Sequence, residues 1–307
     1  MEGTSLTSPP APPPSGLPPN FRQVQAHYDL SDEFYRLFLD SSLTYSCAYF
    51  AEPTMTLEEA QIAKIDLALD KLGLTPGMTL LDVGCGWGST LMRAEEKYDV
   101  NVIGLTLSKN QHTHIERLFA DTPSTRSRRV LLQGWERFTE PVDRIVSIGA
   151  FEHFGFERYD NFFQFAHRAL PDNGVMLLHT ITALHPRQVS ARGLRLTFEL
   201  ARFIKFILTE IFPGGRLPSQ EMVESHAVAN GFTIDRVQSL RPHYVKTLDA
   251  WATRLCRHRT EAIAVQSDEV YLRYIKYLNG CTQLFRDGYT DVYQFTLRKT
   301  DHVITGG

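Results

Sequence analysis

The chain has 307 residues, of which 43% are hydrophobic and 22% are charged, and its formal net charge is −3 at pH 7. These values are typical of a globular protein and argue against a basic nucleic-acid-binding surface. No run reaches the roughly 20 apolar residues of a membrane span, and no secretory signal is recognised. The cysteines form no CxxC pair and have no histidine at zinc-ligand spacing, so we expect reduced thiols in the cytoplasm and no metal site. They are Cys47, Cys85, Cys256 and Cys281.

The N-terminal part of the chain predicts a leader and then helices. Residues 1–20 are dominated by Pro, Ser and Gly and predict a disordered leader, whereas residues 21–307 predict one domain. Ser31 or Asp32 can cap a first helix that runs towards Leu39.

A second helix follows in the same region. Thr56 can cap it, acidic residues occupy its first turn, and Gly73 with Pro76 would end it. Together the helices of residues 21–75 form a segment that precedes the core of the domain.

From Met78 onwards, short apolar runs alternate with helical stretches. The runs TLLDVGCGWG, VNVIGLTLS, RVLLQG, DRIVSIGA and GVMLLHTI predict strands, and the alternation predicts an α/β fold with a doubly wound parallel sheet. A long interruption follows the fifth strand, at about residues 183–219, and contains the apolar stretch LRLTFELARFIKFILTEIF. A helix from Ser219 to Asn230, a strand, two helices and a final strand DVYQFTLRK are then expected, which makes seven strands in all.

The segment LLDVGCGWG predicts a cofactor loop, because it follows a strand and opens a helix. Its G-x-G-x-G spacing with Asp82 just before it favours S-adenosylmethionine (SAM) over NAD, whose loops read G-x-G-x-x-G. The second strand lacks the acidic residue that commonly binds ribose hydroxyls, so Gln111 is a candidate for that contact. Ser108 and Gln111 are equally consistent with a helix capping box. Trp135 and Glu136 could flank the adenine, although a tryptophan here could also simply pack in the core.

Several motifs together resemble the cyclopropane mycolic acid synthases, a branch of the cyclopropane-fatty-acid synthase superfamily. These are VQAHYDLSDEFY, LTYSCAYF, LLDVGCGWGS, GLTLSKNQ, SIGAFEHFG, EIFPGGRLPS, PHYVKTLDAW and YLNGC. The resemblance extends from about Phe21 to Lys299. It implies a Rossmann-like SAM-dependent methyltransferase fold, with a seven-stranded, mostly parallel sheet. It also implies an enzyme that modifies a double bond of a long meromycolate chain carried on an acyl carrier protein.

The resemblance assigns site residues by position. Those that would contact the cofactor are Tyr45, Ser46, Gly84, Cys85, Gly86, Trp87, Gly88, Thr106, Leu107, Ser108, Lys109, Asn110, Gln111, Trp135 and Glu136. The family also holds a bicarbonate ion in the active site. The positions that match its ligands are Cys47, Glu152, His179, Tyr244 and Cys281.

The chemistry of such a reaction constrains the site. Methylation of an alkene passes through a carbocation that water would trap, so the cavity has to be dry, and a base has to remove a proton from the added methyl group. Bicarbonate can be that base, but a carboxylate beside an anion is repulsive unless a proton is shared, which we expect of Glu152. His179 is predicted to end the fifth strand and Glu152 to follow an apolar strand end, at the edge where ligands bind in such sheets. Taken alone, Cys47, Cys281 and Tyr244 would be interpreted as packing residues.

The interruption at residues 183–219 would form a lid over an acyl tunnel, or else an ordinary buried helix, and the helices of residues 21–75 would cover the cofactor. Arg202, Lys205 and Arg216 could contact an acidic carrier protein or form a solvated face, and peripheral contact with a membrane is compatible with the sequence.

Three other functions compete with cyclopropane formation. Members of the same family that hydroxylate the chain have Glu in place of Gly149 and lack the histidine of the fifth strand, so Gly149 and His179 favour cyclopropanation. A small-molecule N- or C-methyltransferase is disfavoured by the apolar lid. A non-enzymatic SAM- or lipid-binding protein is disfavoured by the intact loop and anion-site residues.

Overall fold

The computed structural model describes residues 31–213 and 215–300. The predicted leader and the start of the N-terminal segment lie outside the described residues. The helices are α1 (Asp32–Arg36), α2 (Leu57–Asp70), α3 (Ser89–Tyr98), α4 (Lys109–Asp121), α5 (Tyr159–Ala169), α6 (Pro186–Ala191), α7 (Phe198–Phe206), α8 (Gln220–Ala229), α9 (Arg241–Arg257), α10 (Arg259–Val265) and α11 (Asp268–Asp287). The strands are β1 (Thr79–Val83), β2 (Asn101–Thr106), β3 (Arg128–Leu132), β4 (Arg144–Ile148), β5 (Val175–Ala183), β6 (Phe232–Ser239) and β7 (Thr290–Lys299).

The sheet has the strand order β3-β2-β1-β4-β5-β7-β6. The first five strands are mutually parallel, and β7 is antiparallel to both of its neighbours. The order reverses at β1, so the carboxyl ends of β1 and β4 face a crevice where ligands bind in open α/β sheets. The predicted Rossmann-like, mostly parallel seven-stranded fold is confirmed.

Local capping explains where the helices begin. The Ser31 side chain accepts a hydrogen bond from the N–H of Phe34, and Thr56 forms a reciprocal capping box with Glu59. The helix α1 ends at Arg36 rather than continuing to Leu39, and a single turn replaces its last predicted residues.

Two further predictions were wrong. Three helices rather than two connect β6 to β7, because the helical conformation is interrupted after α9 and again before Ser267, which caps α11. His179 does not end its strand, because β5 continues to Ala183 along the antiparallel partner β7. Its parallel pairing with β4 does end at the pair Ile148 and His179, so His179 still lies level with the carboxyl end of β4.

The insertion between β5 and α8 is helical, as predicted. It consists of α6, α7 and a π-helical turn at Ile207–Ile211. Only Phe206 is buried in α7, and Phe198 is 78% exposed, so α7 is not an ordinary buried helix. Among the described residues, no helix combines the length and the apolar character that crossing a membrane requires.

Candidate active site

The glycine loop forms one wall of a pocket at the carboxyl ends of β1 and β2. The backbone N–H groups of Gly84 and Cys85 both donate to the carbonyl of Leu105 at 3.0 Å, which folds the loop tightly over β2. Gly84 has φ of +85°, and a Cβ added there would lie 2.4 Å from Cβ of Ala150. Only glycine fits this position. At Gly86, by contrast, an added Cβ would meet nothing within 4 Å, so the loop leaves open space for a ligand.

Polar atoms in this pocket fit a cofactor that carries amino and hydroxyl groups. Asp82 is 2% exposed, and burial raises the pKa of its carboxyl to about 7. One oxygen of Asp82 and one of Glu136 have no hydrogen-bond partner within the described part of the chain. The other oxygen of Glu136 accepts from Arg158 at 3.1 Å. Buried acceptors without partners are costly unless a ligand supplies the donor, so the residues present fit SAM.

Most of the predicted cofactor residues line this pocket, namely Tyr45, Ser46, Gly84, Cys85, Gly86, Trp87, Thr106, Leu107, Gln111, Trp135 and Glu136. Gly88, Ser108, Lys109 and Asn110 do not. Gly88 and Ser108 instead occupy the N-cap positions of α3 and α4, and the side chains of Lys109 and Asn110 are exposed on the first turn of α4.

The contacts of Gln111 argue against a reciprocal capping box, and its contact with the ribose stays a prediction. Ser108 accepts from the backbone N–H of Gln111, but the Gln111 side chain does not return to the N-cap. Its Oε1 accepts from the Thr106 hydroxyl at 2.7 Å instead, and the amide lines the pocket. The ring of Trp135 packs against Phe162 and Phe165, and it also lines the pocket, so contact with the adenine stays a prediction.

The stretch 43–47 covers the pocket from outside the sheet, and helix α2 holds it in place. Gln61 donates to the carbonyls of Thr44 at 3.1 Å and Ser46 at 2.9 Å. Lys64 donates to the hydroxyl of Ser46 at 2.9 Å. Neither Gln61 nor Lys64 was predicted as a site residue. The available signal was their spacing of three along α2, which places both on one helix face.

A second cavity of about 500 Å³ adjoins the first and has mainly apolar walls. The two share four residues, which are Tyr45, Ser46, Gly149 and His153. The insertion contributes apolar side chains to the second cavity, among them Leu196, Leu200, Ile204 and Leu208. The five residues predicted to hold an anion all line it, although they come from distant parts of the chain: Cys47, Glu152, His179, Tyr244 and Cys281.

Burial shifts the pKa values of both Glu152 and His179 in this cavity. Burial raises the pKa of the Glu152 carboxyl to about 7, although its Oε1 accepts from the backbone N–H of Ile181 at 2.6 Å. Burial, with the charges of Lys64 and Lys71, lowers the pKa of His179 well below its usual value. His179 is therefore a neutral imidazole, and Glu152 gains or loses a proton near neutral pH.

The two cysteines of the cavity are protonated thiols. Burial raises the pKa of Cys47 far above its usual value and that of Cys281 to about 12. Neither is thus a thiolate nucleophile at neutral pH. Cys281 lies inside α11, where the backbone N–H bonds to the preceding helical turn, so it presents a thiol and not an N–H. Cys47 lies in an irregular segment before α2.

A row of polar side chains behind His179 crosses the sheet. His179, Gln294 and Gln238 are neighbours on β5, β7 and β6. Lys71 donates to Oε1 of both glutamines, and Nε2 of Gln294 lies 3.4 Å from Nδ1 of His179. An ammonium group can only donate, so it directs the Gln294 carbonyl oxygen to itself and the amide NH₂ towards the imidazole. Nδ1 of His179 is then an acceptor, and the single ring proton is on Nε2.

Comparison with known proteins agrees with this geometry. The family profile described as mycolic acid cyclopropane synthetase matches residues 17–295. Cyclopropane mycolic acid synthase 1 of Mycobacterium tuberculosis is 68% identical over 93% of this chain and 100% of its own length. The methoxy mycolic acid synthase MmaA3 of the same organism is 62% identical, over 91% of this chain and 96% of its own.

A solved structure is equally similar. The crystal structure of mycolic acid cyclopropane synthase CmaA1 complexed with SAH and CTAB superposes with a TM-score of 0.90. It is 69% identical and covers 92% of this chain and 99% of its own. The family and the enzyme class inferred from the motifs are confirmed. The chain belongs to the mycolic acid cyclopropane synthetase family and is an S-adenosylmethionine-dependent methyltransferase.

Proposed function

We propose that this enzyme forms a cyclopropane ring at a double bond of a long, unsaturated meromycolyl chain. The observation that carries the proposal is the contact between the two cavities. A polar pocket that fits SAM shares a wall with a larger apolar cavity, and that cavity is lined by Glu152 and His179. An apolar chain in the second cavity would have its reacting carbons next to the end of the first.

The ligands of the relative CmaA1 support both halves of the site. SAH is what SAM becomes after it has given up its methyl group, and CTAB carries a long alkyl chain. SAM, when bound, supplies an electrophilic methyl group. The cavity of this chain then has to exclude water and tolerate positive charge on the acyl chain, which its apolar and aromatic walls suit. Tyr244, Tyr277 and Phe285 are among the aromatic residues that line this cavity.

We infer that the cluster of Cys47, Glu152, His179, Tyr244 and Cys281 holds a bicarbonate ion, which would supply the base. Two features support the fit. The Glu152 carboxyl is partly protonated near neutral pH, so its unpaired oxygen can share a proton with an anion rather than repel it. The Nε2–H of His179 is left to donate, because Nδ1 faces Gln294.

The acyl chain is proposed to arrive on an acyl carrier protein. Exposed basic residues of the insertion, Arg202, Lys205 and Arg216, lie beside the apolar residues that line the second cavity, and Arg216 lines it directly. Acidic groups of a carrier would be attracted to them. The insertion and the helices before β1 thus act as covers of the acyl and cofactor cavities. The four free cysteines suit a reducing compartment, which we take to be the cytoplasm.

The hydroxylating reaction is the second candidate, and a specific position argues against it. Overall identity does not separate the two products, since a methoxy mycolic acid synthase is 62% identical. Gly149 lies in the wall between the cavities with φ of +69°, and Ser46 Cβ is 3.8 Å from where its Cβ would be. The Glu of hydroxylating members would put a charge and its water at this wall. Glycine keeps the wall apolar here, and His179 is present.

Mass spectrometry of lipids from a host that lacks its own synthase tests the proposal. Expression of this enzyme should yield acyl chains that gain one CH₂ and no oxygen. A gain of one methyl and one hydroxyl group would establish the hydroxylating route instead. Unchanged lipids, together with SAM turnover on an amine, would identify a small-molecule methyltransferase.

A further inference from the structure

We propose that Lys64 binds the carboxylate of the cofactor's methionine end, while Asp82 faces its ammonium group. Lys64 lies in the middle of α2, outside the glycine loop, and its side chain lines the cofactor pocket. It is only 1% exposed. A lysine this deeply buried is rare in proteins unless a partner of opposite charge accompanies it.

The described residues do not provide that partner at contact distance. Within residues 31–213 and 215–300, the ammonium of Lys64 has one hydrogen-bond acceptor, the Ser46 hydroxyl at 2.9 Å, and no ion pair. Asp40 and Asp82 act on it only through longer-range attraction. The oxygens of Asp40 already accept from the backbone N–H groups of Ser42 and Thr44, each at 3.0 Å. An ammonium has three donors, so Lys64 has capacity for another acceptor in the pocket.

The chemistry of the missing acceptor follows from the pocket's other charge. Asp82 has a buried oxygen with no partner among the described residues, which calls for a donor or a cation. A ligand that satisfies Lys64 and Asp82 together needs an anionic and a cationic group side by side. The amino-acid end of SAM is such a zwitterion.

Ser46 completes the arrangement. Its oxygen accepts from Lys64, so its own proton is available for a second hydrogen bond to the same carboxylate. Burial lowers the pKa of Lys64 to about 8, so the group remains mostly cationic at neutral pH. Ser46 was expected to contact the cofactor, and Lys64 explains why a hydroxyl at that position can bind an anion without a charge of its own.

Calorimetry with three ligands tests this assignment without any acyl substrate. The ligands are SAH, its analogue that lacks the carboxylate but keeps the amine, and 5′-methylthioadenosine, which lacks both. For Lys64→Met we expect SAH to bind roughly 10- to 100-fold more weakly, as for loss of a charged hydrogen bond. Binding of the other two ligands should be unchanged. Lys97→Met, a lysine of α3 that pairs with Asp70 at 2.9 Å away from the pocket, is the control and should bind all three as the wild type does.

The other outcomes overturn the proposal. Equal weakening of all three ligands would mean that Lys64 only supports the 43–47 segment, and unchanged SAH binding would mean that it contacts nothing. Should Lys64→Met fail to fold, the wild type still tests the proposal, because unchanged binding of the ligand that lacks the carboxylate would overturn it. The proposal rests on SAM as cofactor and on no later step, so a failure of cyclopropanation in lipid assays would leave this calorimetric result unaffected.

Discussion

Glu152 Oε1 accepts a hydrogen bond from the backbone N–H of Ile181 at 2.6 Å, whereas its Oε2 has no partner among the described residues. One oxygen therefore fixes the carboxyl group to β5, and the other is left for chemistry in the apolar cavity. Burial without a counter-charge raises the pKa of this group from 4.5 to about 7. The folded protein holds a proton on Glu152 more tightly than the unfolded chain does.

This difference predicts how Glu152→Gln changes stability with pH. Between pH 4.5 and 7 the folded state binds more protons than the unfolded state, so the wild type loses stability as pH rises through that window. Glutamine does not titrate and can still accept from Ile181. The variant should be roughly 2–3 kcal/mol more stable than the wild type at pH 8, with a smaller difference at pH 5. Thermal unfolding of both proteins across this range measures it.

Activity should change in the opposite direction. Glu152→Gln should abolish turnover, because an amide cannot share or accept the proton, while calorimetric SAH affinity stays at the wild-type value. Full activity would remove Glu152 from the mechanism, and a stability difference that is independent of pH would contradict the raised pKa.

Two substitutions of Cys47 distinguish a role of its backbone N–H from a role of its thiol. Its thiol is buried and protonated, and it donates to the carbonyls of Ala48 and Leu240. We expect Cys47→Ala to reduce turnover by less than about tenfold, since only weak bonds are lost. We propose that the backbone N–H of Cys47 donates to the bound anion. Cys47→Pro should then reduce turnover far more, because proline deletes that donor. Steady-state rates of the two variants are the measurement, and comparable losses would make the thiol itself the functional group.

Gln294 should determine which nitrogen of His179 carries the proton. In Gln294→Leu the donor that faces Nδ1 is gone, so the proton should redistribute between the two ring nitrogens. ¹⁵N NMR of labelled imidazole reports this directly, and turnover should fall by about tenfold with SAH affinity unchanged. Gln238→Leu is the matched control, since Gln238 contacts Lys71 but not His179. A wild-type tautomer in Gln294→Leu would show that Gln294 does not position the ring.

Gly280 controls how closely the insertion approaches α11. A Cβ at Gly280 would lie 2.1 Å from ring atoms of Phe203, on α7. Gly280→Ala should therefore displace α7 and raise KM for the acyl substrate, leaving SAH binding intact. Asn279→Ala, on the exposed side of the same helix, is the control and should be neutral. Alanine favours a helix interior over glycine by about 1 kcal/mol, so a loss confined to Gly280→Ala would come from the contact with Phe203. An unchanged KM would mean that α7 does not shape the acyl cavity.

The parts of the fold that depend on local sequence were predictable. Caps at Ser31, Thr56 and Ser219 follow from hydrogen bonds within three residues, and the alternation of strands and helices identified the sheet. The end of β5 was not predictable in the same way. The last residues of β5 form a strand because they pair with β7, which comes from the far end of the chain. The sequence near His179 contains no signal for that pairing.

The site residues likewise fall into those that the sequence predicts and those that only the folded structure shows. The glycines and the strand ends predicted where the cofactor pocket lies. The family motifs predicted five anion-binding residues, and the structure places all five in one cavity. Lys64 and Gln61 were missed because a polar residue on a helix ordinarily faces water. In this protein the 43–47 segment covers the face of α2 that carries Gln61 and Lys64, and this contact is visible only in the folded structure.

The residues shared by the two cavities have a thermodynamic consequence. Tyr45 and Ser46 line both cavities and form a partition between the pocket that fits SAM and the apolar cavity. A ligand that shifts this partition changes the free energy of binding on its far side, and by linkage the effect is equal in both directions. If the acyl chain binds as proposed, its affinity and the affinity for SAH would be coupled through residues that Gln61 and Lys64 of α2 hold in place.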